Sequence, residues 1–157
     1  MVKPESDSKN TEFPYIECKG TNLNDAFQKA ALELMGLITD VTQIEQKQPV
    51  TIFCESADLD LLFSDWINTL LWELNDKKML FSRFDIHVEG INVKGKIWGE
   101  PIDPHKHELK RQNIQGIAFD RLSCEEINEN GVMRVRVSGV LNDVDRHGYH
   151  LEPLWSE

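Results

Sequence analysis

Two stretches of this chain repeat their apolar residues at steps of three and four. In the first, Leu23, Ala26, Phe27, Ala30, Ala31, Leu34, Met35 and Ile38 share one side of a helical wheel. In the second, Leu59, Leu62, Phe63, Trp66, Ile67, Leu70, Leu71 and Leu74 do the same. That period fits an α-helix with one broad buried face, and it does not fit a strand, whose side chains alternate faces at every residue. Asn22 offers an acceptor to a free N–H of the first helix, and Asp25 favours its positive end. Ser56 is expected to cap the second helix, with Asp58 and Asp60 in its first turns. The second helix should stop within Asn75-Asp76-Lys77-Lys78.

The rest of the chain reads as β structure. Short strands are expected at Phe13–Lys19, ended by Gly20, and at Val50–Cys54 after Pro49. Phe84, Ile86 and Val88 alternate with polar residues, and Glu89-Gly90 suits a hairpin into Val93–Trp98. Ile114–Leu122 is strand-like, and Val132–Val137 alternates after an Asn-Glu-Asn-Gly turn. The chain is long enough for one domain. The expected architecture is therefore α+β: two helices packed on a mainly antiparallel sheet. Residues 1–11 are polar and aperiodic and are expected to be disordered, leaving 12–157 as the domain. The tail Leu141–Glu157 is polar, with Gly148, Pro153 and a few apolar anchors.

Charge narrows the function. A net charge of -10 argues against a dominant nucleic-acid stripe, so strong direct binding to nucleic acid is not expected. An acidic chain suits a basic partner or a cation. No apolar run reaches the length that spans a bilayer, and no apolar core of a signal peptide is visible. Cys18, Cys54 and Cys124 are odd in number and far apart, without a CxxC pair, which suits reduced thiols in a cytoplasm.

The densest chemistry lies in Trp98–Lys110, WGEPIDPHKHELK. Pro101 and Pro104 resist helix and central strand, so the segment is expected to be a loop that displays its charges. His105 and His107, with Asp103 and Glu108, raise a zinc reading to which His147 and His150 could add, but no cysteine spacing supports it. Ser64, Ser123 and Cys124 lack a motif that would aim a base at them.

These segments together resemble the archease family. Gly20-Thr21-Asn22-Leu23-Asn24-Asp25-Ala26-Phe27 is similar to its Gly-x-x-Leu-x-x-Ala-Phe helix start. Leu37-Ile38-Thr39-Asp40 is similar to its Met-Thr-Asp helix end. Leu61–Leu71 resembles its Leu-Leu-x-Asp-Trp-Leu-Asn-Glu-Leu-Leu helix, and Gly99–His107 its Gly-Glu-x-x-Asp-x-x-Lys-His loop. The resemblance covers roughly Ile16 to Val137.

It implies a non-enzymatic accessory protein of RtcB-type RNA ligases, which promotes ligase guanylylation and turnover in tRNA splicing or RNA repair. It also implies an acidic site for a divalent metal, Ca2+, Mg2+ or Mn2+. Of the family's three carboxylate positions only Asp40 matches; Phe13 and Gly139 fall near the other two. Glu12, Asp143 and Asp145 are the replacement candidates. Asp65, Glu100, Asp103, Lys106, His107 and Lys110 are carried over as partner contacts. A second reading stays open: a diverged protein-binding or chaperone-like module on the same fold, without metal activity.

Overall fold

The computed structural model describes residues 14–143. The expected disordered segment 1–11 and most of the tail lie outside them. Helix α1 spans Leu23–Ile38 and α2 spans Leu59–Lys77. Asn22 caps α1 as its sequence suggests, its side chain accepting from the Asp25 N–H at 2.9 Å. The Asp25 carboxylate in turn accepts from the Thr21 N–H at 2.9 Å, which ties the residue before the cap back to the first turn.

The cap of α2 is Asp58 rather than Ser56. Its carboxylate accepts from the Leu61 N–H at 2.9 Å, the donor three residues on that a cap must satisfy. Ser56 lies two residues too early for that role, and its hydroxyl donates to Asp65 instead. The helix ends at Lys78 in the left-handed region, φ 55°.

Among the described residues six strands follow chain order: β1 Tyr15–Gly20, β2 Gln48–Glu55, β3 Met79–Glu89, β4 Asn92–Pro101, β5 Ile114–Glu129 and β6 Val132–Asp143. The α+β expectation holds, with a refinement. The strands form two antiparallel sheets of three, in the orders β1-β6-β5 and β2-β4-β3. Two hairpins set the registers. One turns at Gly90 (φ 60°), the other at Asn130 and Gly131 (φ 55° and 83°), where both central residues need positive φ. Pro49 sits on the edge strand β2, where a missing N–H leaves no central ladder broken. Pro101 ends β4, so Trp98–Pro101 belongs to a strand and the proline-rich loop begins at Ile102. A proline is tolerated there because the ladder stops with it.

Both helices pack against strands of both sheets. Phe27 and Trp66 stack at 6.3 Å between centroids, with Phe63 edge-on to Phe27 and Phe84 edge-on to Trp66. The buried Trp66 indole donates to the Phe27 carbonyl at 2.9 Å and ties α2 to α1. All three cysteines are unpaired thiols. Burial pushes Cys124 up to about 12, helped by Asp60, which keeps it a thiol rather than a nucleophile. Among the described residues no helix is long and apolar enough to cross a membrane.

Candidate functional site: a loop strapped to the end of the first helix

Two connections meet at one end of the molecule. Residues 39–47 link α1 to β2, and residues 102–113 link β4 to β5. They are far apart in sequence and bonded together along their length. The Thr39 hydroxyl, buried, donates to the Glu108 carbonyl at 2.7 Å. The Lys110 N–H donates to the Ile38 carbonyl at 2.6 Å, and the Lys47 N–H to the Gly99 carbonyl at 3.0 Å. On the other side, the Ile102 N–H reaches the Lys78 carbonyl at 2.9 Å. The loop is thus fastened to both helix ends.

Glu100 lies at the centre of this strap, only 4% exposed. Its Oε2 accepts from the Glu45 N–H at 2.9 Å, faces His107 Nε2 at 2.9 Å and pairs with Lys106 Nζ at 2.8 Å. Lys47 Nζ stands 3.7 Å from its other oxygen. Burial raises the carboxyl, but Lys106, the Glu45 N–H and His107 outweigh it and bring it down to about 2. Glu100 is therefore an anion with its acceptor capacity used inside the fold.

His107 is equally committed. Its Nδ1 accepts from the Asp103 N–H at 3.0 Å, while Nε2 lies 3.1 Å from the Gln43 carbonyl as well as near Glu100. An acceptor at Nδ1 and acceptors facing Nε2 assign the Nε2–H tautomer. Asp103 shapes the turn itself: its carboxylate accepts from the His105 N–H at 2.9 Å, and its carbonyl from the Lys106 and His107 N–H groups. Gly99 is needed for close approach, since a Cβ there would run into the Leu80 carbonyl across the ladder.

Asp40 opens a short 3-10 turn, Val41–Gln43. Its Oδ1 accepts from the Thr42 hydroxyl at 2.7 Å and the Thr42 N–H at 3.0 Å. Those bonds, and more weakly the Lys110 ammonium, hold its carboxyl below the usual range. The fold thus sets Asp40 beside Lys110, next to a loop carrying Asp103, His105 and Lys106.

Glu100 and His107, expected as partner contacts, are inside the strap, so any contact they support is made through the loop they hold. Lys106 is occupied by Glu100 and by Glu45 at 2.9 Å. Asp65 stands apart on α2, bonded to Ser56. Of the metal candidates, Asp143 ends β6, its backbone opposite Ile114; Glu12 and Asp145 lie outside the described residues. Among the described residues no three His, Cys, Asp or Glu side chains converge to hold a metal ion. The zinc reading fails on geometry for the described histidines, because both nitrogens of His107 are engaged within the fold; His147 and His150 lie outside. Sequence reasoning missed Glu45 and the Gln43 carbonyl, which carry no local signal. Thr39 had one, as the residue before Asp40 in the helix-end motif.

Among the described residues these features define a small α+β module with a charged loop hydrogen-bonded to the end of helix α1. The model of the Archease protein family (MTH1598/TM1083) matches residues 15–138, and the chain belongs to that family. Among its relatives, the protein archease of Sulfurisphaera tokodaii is 33% identical over 112 residues, covering 70% of this chain and 80% of the relative. The protein archease of Sulfolobus acidocaldarius is 30% identical over 117 residues, covering 73% and 84%. The solution structure of Methanobacterium thermoautotrophicum protein 1598 is similar in fold, with a TM-score of 0.61 at 23% identity, covering 83% of this chain and 99% of that one.

Proposed function

We propose that this protein is an accessory factor that promotes guanylylation and turnover of an RtcB-type RNA ligase, in tRNA splicing or RNA repair. The observation that carries the reading is the strap. The family's helix-end Asp40 and its Gly-Glu…Lys-His loop form one bonded unit, through Thr39 to Glu108 and Lys110 to Ile38. A surface fixed before binding loses less conformational freedom on docking. The net charge of -10 also complements a ligase that is basic because it binds RNA.

The described residues do not by themselves fit a divalent cation. A hard ion takes six or more oxygens, and Asp40 is one carboxylate with one oxygen already bonded to Thr42. A site there would take further oxygens from Asp143, Asp145 and Glu12. No step of the proposed action is routed through it.

The test is a ligase turnover assay with the ligase of the same genome, with and without this protein. The expected result is a faster approach to completion, lost or reduced on Asp40→Asn. An unchanged rate with the unaltered protein would refute the proposal.

One observation favours the second reading, a protein-binding module without metal activity. Gly139, near where the family carries its last carboxylate, sits beneath Ile117, and a Cβ there would collide with the Ile117 side chain. This position is packed rather than open to an ion. Calorimetry with Mn2+ and Ca2+ separates the readings: binding abolished by Asp40→Ala supports a metal site, and no heat supports the module.

A further inference from the structure

Among the described residues both sheets are open, and each open sheet leaves two edge strands whose outer N–H and C=O groups lack a ladder. Three of the four edges are blunted. β3 alternates Arg83, Asp85, His87 and Glu89 along its exposed face, and Asn24 Oδ1 accepts from its Val88 N–H at 2.6 Å. In β5 the N–H groups of Ile117 and Cys124 are taken by Asn68 and Asp60 of α2, at 3.1 and 2.8 Å. β1 is short and carries Glu17 and Lys19. The fourth edge, β2, has neither device at its middle. Thr51 and Phe53 stand there, both exposed, Phe53 at 60%. Among the described residues no strand pairs with that side of β2.

The ladder fixes which groups face outward. The Ser56 N–H donates to the Ile91 carbonyl at 3.1 Å, one step beyond the Glu55–Asn92 pair. In an antiparallel pair only alternate residues bond to a given neighbour. Val50, Ile52 and Cys54 therefore bond inward to β4, while Pro49, Thr51, Phe53 and Glu55 turn their backbone groups outward. Pro49, which has no N–H, falls on the outward side, where a proline is tolerated.

We propose that this edge pairs with the same edge of a second copy of this chain, antiparallel about a two-fold axis at Ile52. In that register Thr51 lies opposite the partner's Phe53 and exchanges both backbone bonds with it, and the Glu55 N–H meets the carbonyl of the partner's Pro49. The missing N–H of Pro49 then costs a bond only at the end of the ladder. Each Phe53 ring packs beside the partner's Thr51, and the two rings meet on the diagonal. Charge matches as well. Glu55 has no cation partner among the described residues, and the register carries it to the end of β2 where the partner's Lys47, 57% exposed, stands. The two copies form one continuous sheet, which removes the unguarded edge. The inference concerns this chain alone and is independent of the ligase reading.

The experiment follows the mass of the full-length protein by light scattering over a concentration series. An edge contact of this length is smaller than a standard interface, so a Kd on the order of 10 μM is expected for the dimer. Hydrogen exchange should slow at the Thr51, Phe53 and Glu55 amides as concentration rises, while the inward Ile52 amide stays protected throughout. Thr51→Pro removes an outward N–H without touching the β4 ladder, and Phe53→Glu faces Lys94 within its own chain. Each should weaken association at least tenfold with the circular dichroism spectrum unchanged. If Thr51→Pro loses that spectrum, Phe53→Glu decides alone. A monomer at about ten times the expected Kd would overturn the proposal. So would a dimer that either folded variant leaves intact, or slowed exchange confined to other strands.

Discussion

Replacing Glu100 by glutamine should destabilise this protein in a way that depends on pH. Glutamine keeps the shape and can still accept from the Glu45 N–H, but it loses the charge that Lys106 faces at 2.8 Å. The carboxyl is lowered from 4.5 to about 2, which corresponds to about 3 kcal/mol at neutral pH by linkage. The facing lysines are partly exposed, at 28% and 57%, so solvent screening trims the figure. We expect a loss of about 1–2 kcal/mol at pH 7, or roughly 3–6 °C in Tm for a chain of this size.

The sign follows from the direction of the shift. A lowered carboxyl stabilises the fold fully above its unfolded value, near 4.5, and loses that contribution as pH falls toward 2. Urea unfolding of both proteins at pH 7, 5, 4 and 3 measures the difference. It should be constant from pH 7 to 5 and fall to less than half by pH 3. A difference below about 0.5 kcal/mol at pH 7, or one unchanged at pH 3, would refute the view that Glu100 is an ionised clasp.

Three further outcomes test other parts of the structure. Gly99→Ala should cost about 2 kcal/mol or more in urea unfolding, because its Cβ meets the backbone of Leu80 and Phe81. Thr39→Val should cost about 1–2 kcal/mol by orphaning the Glu108 carbonyl, and hydrogen exchange should speed up at the Lys110 amide. Asp58→Ala should lower stability by about 1 kcal/mol, and more than Ser56→Ala does; equal effects would return the cap to Ser56.

Much of the fold was legible because it is local. Helical spacing marked α1 at both ends and α2 at its C-terminal end, since burying one stripe needs only residues three and four apart. Asn130-Gly131 announced its hairpin for the same reason: left-handed φ values favour those residue types. The α2 cap was misplaced by two residues because two good capping types, Ser56 and Asp58, stand near one helix start. Only the N–H that is left over decides between them. The loop was expected from its prolines, but Pro101 closes a strand, which depends on where β3 begins.

Taken alone, the sequence determined which segments are helix and strand, the acidic balance of the surface and the family's motifs. Tertiary structure alone decided that strands divide into two sheets. It alone turned Glu100 and His107 from displayed charges into a buried clasp, and it joined Asp40 to a loop some 70 residues away, as in the Thr39 to Glu108 bond of sequence separation 69. Propensity and period act over one or two turns of chain. The partner of a buried carboxylate is set by which distant backbone arrives beside it, and no local pattern encodes that.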